Sequence, residues 1–567
     1  MKYRLISDYK YNPYDPNFFQ KLIFKNRNVK LTREFLAPTK DNLNDWQLLD
    51  NIEEGIALLN KHLHNNIFLI VDSDVDGYTS AAIFYNFLQE KENNKLNIKW
   101  MVHEGKQHGI IPELVPDDTD LLVVIDAGSN QYGAHKELSE KGIDILVIDH
   151  HEAPKYSEYA VVINNQLSSN YPNKQLSGAG LAYQFCRVLA KETVDKYLDL
   201  AALGIIADMR DVRDLEHRYI IHYGLKNIKN PFFKALIEQQ KYSLGSQSIN
   251  SIGVMFYIAP LINALIRVGT MQEKELMFKA FIEGEKVIPS TKKGAKENET
   301  ETIAQQAARI CANAKPRQKK IVDALQEKIE SMLTEDDLIN KPIIFITLQE
   351  IENRNIVGLV ANQLAHKYKK PALVLIADEQ ETYTGSGRNY NLGEIENFKD
   401  ILNETKFFEF AEGHQSAFGA KIKTENINTF LNYCDESFTA IDSVDTYDVD
   451  LILDVKDMSS SIVQQIAKLR SLWGKEFEEP YIVVKNITVL PEDINIMGKN
   501  QNHIKFRKNN VDFVIFNFDT HDIINSKSPF VFDILGRCDI NVWRDRVTYQ
   551  IIAVDYDIKQ SEHNFGF

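Results

Sequence analysis

Three carboxylates at alternate positions stand out in the segment VDSDVDGYTS, which runs from Val71 to Ser80. Asp72, Asp74 and Asp76 follow an apolar run, and the residues after the glycine have the apolar spacing of a helix. The segment therefore predicts a strand, a turn and a helix. Side chains at the carboxyl end of such a strand point into a crevice where ligands collect. Carboxylates crowded there repel one another unless cations neutralise them.

Further acidic and imidazole side chains follow two more apolar runs and one helical run. Asp126 ends LLVVID, the triplet Asp149, His150 and His151 ends DILVIDHH, and Asp208 ends DLAALGIIAD. Carboxylates mixed with imidazoles suit Mn²⁺ or Mg²⁺ better than a structural zinc ion. Two such ions about 3.5–4 Å apart are a common means of hydrolysing phosphate esters.

A structural explanation exists for each carboxylate taken singly. An aspartate after a strand commonly caps the following helix, so capping is the better interpretation of Asp74, Asp126 or Asp208 alone. Their joint occurrence, each at the end of an element, favours a metal site.

The overall composition limits the classes of protein that this chain can represent. Its 567 residues predict three or four domains, and its net charge of −15 restricts any DNA contact to a local basic groove. The four cysteines are far apart, which predicts buried thiols in a reducing compartment. The polar N-terminus does not resemble a signal peptide, and we find no uncharged apolar run of about 18 residues. We expect a cytoplasmic protein without a membrane span.

The pattern of predicted helices and strands changes several times along the chain. Alternating strands and helices predict a parallel α/β sheet, a second α/β unit follows a helical stretch, and short alternating strands near the C-terminus predict an antiparallel barrel. We expect the polar N-terminal segment to cover the edge of the first strand, and PSTKKGAKENET (residues 289–300) to form a loop. The expected domains are 1–60 (N-terminal extension), 61–214 (first α/β domain), 215–338 (helical connector), 339–435 (second α/β domain) and 436–567 (β-barrel).

The ordered motifs DxDxDG (Asp72 to Gly77), DxG (Asp126 to Gly128), DHH (Asp149 to His151) and ALGxxAD (ending at Asp208) resemble the DHH-family phosphoesterases. The similarity is specifically to RecJ-type single-strand DNA exonucleases of bacteria and phages. It continues through IAPLINALIRVG, GSGRN and EGHQSAFG, and so spans most of the chain.

The resemblance implies two Mn²⁺ or Mg²⁺ ions, with Asp126 as the bridge between them. It implies that Asp72 and Asp149 contact the metal ligands rather than the ions themselves. It also implies that His151 is catalytic and faces the substrate. The implied metal ligands, which are also catalytic, are Asp74, Asp76, Asp126, His150 and Asp208.

The same resemblance implies where the substrate lies. Arg267, Ser386, Arg388 and His414 would surround a phosphate, which an arginine can hold through two hydrogen bonds. Glu412 stands where the family has a glycine. In the segment VHEGKQHGI, Gln107 and His108 replace an aromatic pattern, which disfavours base stacking there. In an OB-like C-terminal domain, the expected DNA contacts are Lys505, Phe506, Arg507 and Trp543.

The resulting hypothesis is a monomeric exonuclease that degrades single-stranded DNA from the 5′ end to 5′-mononucleotides in DNA repair or recombination. A single-strand-binding protein or a helicase would be its partner. One alternative is a DHH phosphodiesterase for short oligonucleotides or cyclic dinucleotides, which would not need the last ~120 residues. Another is a non-catalytic DNA-binding replication scaffold, which would not need every ligand position filled.

Overall fold

The computed structural model describes residues 1–12, 15–105, 107–245, 249–335, 338–378, 381–390, 395, 397–438, 446–521, 528–543 and 546–560. The side chains of His414 and Trp543 lie outside this description. The contacts expected of these two side chains therefore remain predictions.

The N-terminal segment contains one strand and three α-helices. Strand β1 pairs in parallel with a strand more than 440 residues later, with Lys2 opposite Thr446 and Leu5 opposite Val449. The N-terminus is therefore attached to the C-terminal part of the chain. The elements are β1 (Lys2–Leu5), α1 (Phe18–Asn26), α2 (Arg33–Leu36) and α3 (Ile52–Lys61).

A five-stranded parallel sheet with the order β3-β2-β4-β5-β6 follows. Its strands are β2 (Ile67–Val71), β3 (Ile98–Val102), β4 (Leu121–Ile125), β5 (Asp144–Asp149) and β6 (Val161–Asn164). Its helices are α4 (Val75–Lys91), α5 (Tyr132–Glu140), α6 (Gly178–Ala190) and α7 (Leu198–Ala207). All five residues of β2 and of β4 are buried, because helices cover both faces of a parallel sheet. The carboxyl ends of β2, β4 and β5 consequently lie side by side.

The expectation that the N-terminal segment covers the edge of the first strand is wrong. Strand β2 lies between β3 and β4, so both of its edges are already paired. Helix α3 instead contacts β5 and β6 at the other side of the sheet.

The next part of the chain is helical. It contains α8 (Leu215–Lys226), α9 (Pro231–Gln239), α10 (Lys241–Leu244), α11 (Ser251–Gly253), a π-helical turn (Val254–Ile258), α12 (Ala259–Val268), α13 (Met271–Ile282) and α14 (Ile303–Glu335). The polar interruption expected as a loop is closed by a hairpin of β7 (Val287–Pro289) and β8 (Thr300–Thr302). The helical run Ser251–Val268 is long and apolar enough to cross a membrane by length and composition, but 56% of it is buried inside the protein.

A second α/β unit has the sheet order β12-β13-β11-β10-β9. Among its described strands, only the β9–β10 pair is parallel, and the two faces of the sheet carry separate apolar clusters. The elements are β9 (Ile344–Leu348), α15 (Val357–Tyr368), β10 (Ala372–Ala377), β11 (Thr382–Arg388), α16 (Phe398–Thr405), β12 (Phe408–His414), β13 (Ala417–Lys423) and α17 (Thr424–Ser437).

The C-terminal sheet has seven strands in the order β15-β16-β20-β21-β19-β18-β17. The pairs β15–β16 and β19–β21 are parallel, so the sheet is mixed, and the expectation of purely antiparallel pairing is wrong. The elements, including the strand that pairs with β1, are β14 (Thr446–Val449), β15 (Leu451–Asp454), α18 (Ser460–Ala467), β16 (Ile482–Val489), β17 (Asn495–Met497), β18 (His503–Lys508), β19 (Val511–Phe516), β20 (Phe530–Trp543) and β21 (Arg546–Gln560).

This sheet shares one apolar core with the N-terminal helices and the first α/β unit. Phe24 and Phe35 pack edge-on or tilted against Phe477, whose ring stacks on Trp473. The structure confirms the fold class that the sequence predicts. It contains two α/β units with a helical region between them and a C-terminal β domain. All four cysteines are free and buried, as expected.

Candidate metal centre and substrate site

Asp126 lies at the centre of a cluster of acidic and imidazole groups. It follows β4 with a φ of +71°, a conformation that costs free energy in a residue other than glycine and that turns the side chain into the cleft. The residue is 1% exposed, and its Oδ1 accepts no well-aligned hydrogen bond from the described residues. The same atom lies 2.9 Å from Nε2 of His150. A buried carboxylate oxygen in this state, beside an imidazole nitrogen, is suited to binding a cation.

Asp76 lies in the first turn of α4 and points at the start of α6. Its carboxylate accepts hydrogen bonds from the Ser177 hydroxyl (3.0 Å) and from the backbone N–H groups of Gly178 (2.7 Å) and Ala179 (3.0 Å). A Cβ atom on Gly178 would lie 2.5 Å from Oδ1 of Asp126. Glycine therefore allows the helix to approach both carboxylates.

Nε2 of His150 also lies near two further carboxylate oxygens. It is 3.9 Å from Oδ2 of Asp76 and 3.7 Å from Oδ2 of Asp208, which ends α7. Ligand atoms of these three residues all lie within 4.8 Å of one another, close enough to hold one ion. The structure thus brings together four of the five expected ligands: Asp76, Asp126, His150 and Asp208.

The fifth expected ligand, Asp74, caps α4. Its carboxylate accepts a hydrogen bond of 2.9 Å from the backbone N–H of Gly77, which agrees with the structural interpretation of this residue. It also faces the cluster. Burial, followed by the negative charges of Asp72 and Asp208, raises the pKa of Asp74 to about 6.

The other carboxylates are likewise short of positive charge. Burial and the charges of Asp76 and Asp74 raise the pKa of Asp126 well above its usual range. Burial and the charge of Asp76 raise the pKa of Asp208 to about 6, although the charge and the hydrogen bond of Arg210 oppose this rise. Divalent cations would remove this repulsion, and the oxygen and imidazole donors suit Mn²⁺ or Mg²⁺. The residues present therefore fit the metal ions that the sequence predicts.

Asp149 holds the two histidines that follow it. Its carboxylate accepts hydrogen bonds from the backbone N–H groups of Ser129 (2.9 Å), His150 (2.7 Å) and His151 (3.1 Å), and lies 2.8 Å from Nδ1 of His151. Burial acts to raise the pKa of Asp149, but the hydrogen bond from His151 and the charges of both imidazoles outweigh it and lower this pKa. Asp149 is thus occupied with orienting the two histidines.

His151 is half-exposed at the mouth of the cluster. Burial acts to lower its pKa, but the hydrogen bond and the charge of Asp149 raise the pKa to about 9. The imidazole is therefore protonated at neutral pH and can face an anionic substrate.

Arg210 belongs to this site and was not singled out in the sequence. Its Nε donates to Oδ2 of Asp208 at 2.5 Å, and its Nη2 lies 2.5 Å from Nδ1 of His150. Because a guanidinium can only donate, Nδ1 accepts this bond, and in the neutral ring the proton is then on Nε2. If His150 held an ion through Nε2, the ring proton would have to be on Nδ1, and Arg210 would then have to donate elsewhere. The only signal in the sequence was its position two residues after Asp208.

Two arginines expected at the substrate site lie close together. Burial lowers the pKa of Arg267, although the charge of Asp74 opposes this, and burial and the charge of Arg267 lower the pKa of Arg388. Ser386 and Arg388 both lie against Gly358 near the start of α15, where a Cβ atom would collide with the guanidinium. Two neighbouring guanidinium groups near Asp74 are suited to holding an anion beside the acidic cluster.

The strand register of the second sheet places the backbone of His414, an expected substrate contact, level with Arg388 across the sheet. Arg388 pairs with Ala417 on β13, and Ala417 pairs with the backbone of His414 on β12. Glu412 lies in the row of Ser386, since both pair with Gly419. The side chain of His414 lies outside the described residues.

On the C-terminal sheet, the expected DNA contacts divide into two groups. Lys505 and Arg507 line an open cavity of about 550 Å³ together with Asn541 and Arg546. The Phe506 ring is 1% exposed and stacks on Phe513 in the core. The expectation that Phe506 contacts DNA is therefore wrong, because alternate residues of a strand point to opposite faces.

Three family models match this chain. They are the N-terminal domain of the DHH family (residues 66–205), the DHHA1 domain (residues 340–440) and the RecJ OB domain (residues 449–555). A protein of Bacillus subtilis (strain 168) named as the SPbeta prophage-derived single-strand DNA-specific exonuclease YorK is 37% identical over 577 residues, or 99% of each chain. The single-stranded-DNA-specific exonuclease RecJ of the same organism is 26% identical, over 90% of this chain and 63% of its own length.

Solved structures resemble this fold. The crystal structure of RecJ from Thermus thermophilus in complex with Mn²⁺ has a TM-score of 0.71 at 20% identity, covering 96% of this chain and 76% of that one. The complex with Mg²⁺ has a TM-score of 0.67, covering 96% and 75%. The matching chains share the fold, and their metals are those predicted here from the carboxylate and imidazole donors.

Proposed function

The chain belongs to the RecJ family of DHH proteins, and we propose that it is an exonuclease that degrades single-stranded DNA from the 5′ end to 5′-mononucleotides. The observation that carries this proposal is the buried cluster of Asp76, Asp126, His150 and Asp208. Its carboxylates outnumber the positive charges beside them, although Arg210 pairs with Asp208, and they lie beside two arginines that can hold a phosphate. The names of the relatives supply the substrate class, single-stranded DNA.

The proposed metal ligands are Asp74, Asp76, Asp126, His150 and Asp208, arranged around two ions. When bound, divalent ions activate water and stabilise the negative charge that develops on the phosphoryl group. Asp126 is proposed as the shared ligand because it is the most central carboxylate: burial and four neighbouring carboxylates all act on its pKa. Its buried Oδ1 accepts no well-aligned hydrogen bond from the described residues that an ion would have to displace.

The protein's own groups would then position the phosphodiester. His151 is protonated and exposed, so it can donate a hydrogen bond to an oxygen of the scissile phosphate. Asp149 fixes the orientation of that ring through Nδ1, which leaves Nε2 for the substrate. Asp72 accepts a hydrogen bond from the backbone N–H of Gly109 and shapes the other side of the mouth.

The proposed polarity rests on Arg267, Ser386 and Arg388. An anion site at a fixed distance from the metal cluster can bind the terminal phosphate and so determine which phosphodiester reaches the ions. The assignment of this phosphate to the 5′ end comes from the family resemblance. The second α/β unit contacts the helix that carries Arg267, since Asn353 donates to the backbone oxygen of Arg267 at 3.1 Å. We propose that the gap between the two α/β units is narrow enough to admit a single strand and to exclude a duplex.

We also propose the compartment, the oligomeric state and the partners of the enzyme. We place the enzyme in the cytoplasm, as a monomer in repair or recombination, with a single-strand-binding protein or a helicase as partner. The match to a RecJ OB domain and four buried free thiols support this proposal.

The test is digestion of DNA labelled at either end. Single strands, duplexes, dinucleotides and cyclic dinucleotides are incubated with Mn²⁺, Mg²⁺ or EDTA. We expect metal-dependent release of mononucleotides from the 5′ end of single strands only. Faster hydrolysis of dinucleotides or cyclic dinucleotides than of long strands would indicate a small-substrate phosphodiesterase. Binding of single strands without hydrolysis under any metal would indicate a scaffold.

A further inference from the structure

A second histidine lies at the mouth of the metal centre, on the loop that follows β3. His108 is on this loop, and its side chain is 60% exposed. The loop is anchored on both sides of this residue. The backbone N–H of Gly109 donates to Asp72 at 2.9 Å, the N–H of Ile110 donates to Gln131 at 2.7 Å, and Lys274 approaches the His103 carbonyl at 3.4 Å.

His108 is paired with a buried carboxylate that follows another strand of the sheet. Its Nδ1 lies 3.6 Å from Oδ1 of Asp72, which is 5% exposed and follows β2. The interaction with the Asp72 carboxylate raises the pKa of His108, whereas burial and the neighbouring His151 oppose this rise. The other groups that act on this ring are Asp149, which raises its pKa, and His103, which lies 4.0 Å from Asp72 on the inner side.

This arrangement repeats that of His151 and Asp149. In both pairs, a buried aspartate that follows a strand accepts a backbone N–H and lies near Nδ1 of an exposed imidazole, at 2.8 Å for His151 and at 3.6 Å for His108. The two rings are edge-on neighbours, with their centroids 6.2 Å apart and their planes at 64°. One phosphate group at the mouth of the cluster can therefore reach both imidazoles.

We propose that His108 is a phosphate-binding residue of this enzyme, which contacts the scissile phosphodiester next to His151. The proposal rests on the proposed function and deepens it, since it assigns a new substrate contact at the same site. A phosphate placed over both rings can accept a hydrogen bond of about 2.8 Å from each, to different non-bridging oxygens. The metal ligands themselves do not offer this second donor.

A purely structural role for His108 fits the geometry less well. Asp72 already accepts a hydrogen bond of 2.9 Å from the backbone N–H of Gly109. The side chain of Gln131 also fixes Ile110, because it accepts from the backbone N–H of Ile110 (2.7 Å) and donates to its carbonyl (3.2 Å). The buried His103, whose ring lies on the inner side of the loop, fills the space behind Asp72. An exposed ring at 3.6 Å adds little to this anchoring.

The experiment compares wild type with His108→Gln and His108→Ala, and uses Gln107→Ala as a control because that residue is exposed on the same loop. Hydrolysis of a 5′-phosphorylated single strand is measured with Mn²⁺ between about pH 6 and pH 9. We expect kcat/KM to fall roughly tenfold to a hundredfold in both His108 variants at low pH. The deficit should shrink as pH rises through the raised pKa of His108, because wild type then loses its imidazolium.

Two further measurements separate this proposal from its premise. Mn²⁺ affinity from electron paramagnetic resonance and the melting temperature should be the same in all four proteins. Equilibrium binding of the same oligonucleotide in Ca²⁺ should be weaker in His108→Gln than in wild type at pH 6.5, and this difference should shrink as the pH rises towards 9. If wild type hydrolyses no single strand, the proposed function fails, and the binding assay still tests His108. A deficit that is independent of pH, a deficit below twofold, or an equal loss in Gln107→Ala would overturn the role of His108.

Discussion

Asp126 and Asp512 are both 1% exposed, yet their surroundings differ in one respect. Asp512, on β19, is neutralised by Lys505 at 2.7 Å and Arg507 at 2.5 Å. Burial acts to raise the pKa of Asp512, but the hydrogen bonds from these two cations outweigh it and lower this pKa. Asp126 is surrounded by further carboxylates, and its pKa is raised well above the usual range.

The difference shows how to separate a structural buried charge from a functional one. A buried charge that is neutralised within the protein is compatible with a purely structural role, whereas a buried charge without compensation indicates a binding or catalytic role. We propose that the sheet around Asp512 contacts DNA and that the cluster around Asp126 binds ions. Substitutions at the two residues should therefore have opposite effects.

The largest expected effect is on hydrolysis. Asp126→Ala should lower turnover of single-stranded DNA by at least about a thousandfold, because the two ions lose their shared ligand. Asp72→Ala should leave measurable activity, since Asp72 touches the loop at Gly109 rather than the ions. Circular dichroism should show that both variants are folded. Turnover by Asp126→Ala close to that of wild type, in chelator-treated buffer with added Mn²⁺, would contradict the assignment.

The second effect is on stability, and its sign should differ between the two carboxylates. Asp512→Asn should destabilise the protein by about 1–2 kcal/mol, because Lys505 and Arg507 lose their anionic partner. The loss should be no larger than this, because both cations are partly exposed and recover some hydration. Asp126→Asn should stabilise the metal-free protein by roughly 1–3 kcal/mol, because repulsion among the carboxylates falls. Thermal melting in EDTA measures both changes. Shifts of the same sign would remove the contrast between the two sites.

Arg388→Lys should have an intermediate effect on substrate choice. Lysine keeps the charge but cannot form the planar pair of hydrogen bonds that a guanidinium offers to a phosphate. We expect the preference for 5′-phosphorylated over 5′-hydroxyl strands to fall about tenfold, with unchanged Mn²⁺ affinity. A competition between the two substrates measures this preference. No preference in wild type, or the same preference in the variant, would show that Arg388 does not bind the terminal phosphate.

The smallest effect is expected on the C-terminal sheet. Arg546→Ala should weaken binding of long single strands a few-fold and leave cleavage of a tetranucleotide unchanged, because a distant platform contributes affinity rather than chemistry. Arg546 is exposed and lines the cavity beside Lys505 and Arg507. Measurement of KM for strands of both lengths tests this prediction. An equal change in KM for the tetranucleotide and the long strand would show that Arg546 is not part of a distant binding platform.

A point substitution is needed here because the C-terminal sheet cannot be removed cleanly. Phe24 and Phe35 are buried against Phe477, and each exposed aromatic ring would cost about 1.5–3 kcal/mol. The sequence suggested a separable domain after residue 435. It contained no local signal for the pairing of β1 with β14, because that contact depends on residues more than 440 positions apart.

The clustering of the proposed metal ligands was easier to predict from the sequence. Asp126 and the DHH triplet come at the ends of apolar strands, Asp76 follows a third strand within one turn, and parallel strands bring such positions to one edge of the sheet. The burial of Phe506 could also have been read from the alternation in HIKFRK, which places Ile504 and Phe506 on one face. Arg210 and the pairing of His108 with Asp72 depend on how loops fold over the cleft, and no periodic pattern encodes that.

Titration of the metal-free protein with Mn²⁺ tests the central claim most directly, namely that the uncompensated cluster around Asp126 is an ion site. Isothermal calorimetry compares wild type with Asp126→Asn and with Asp512→Asn, which changes a neutralised buried carboxylate. The expected result is about two ions per chain in wild type and in Asp512→Asn, and loss of at least one ion in Asp126→Asn. No binding by wild type, or the same binding by all three proteins, would contradict the claim.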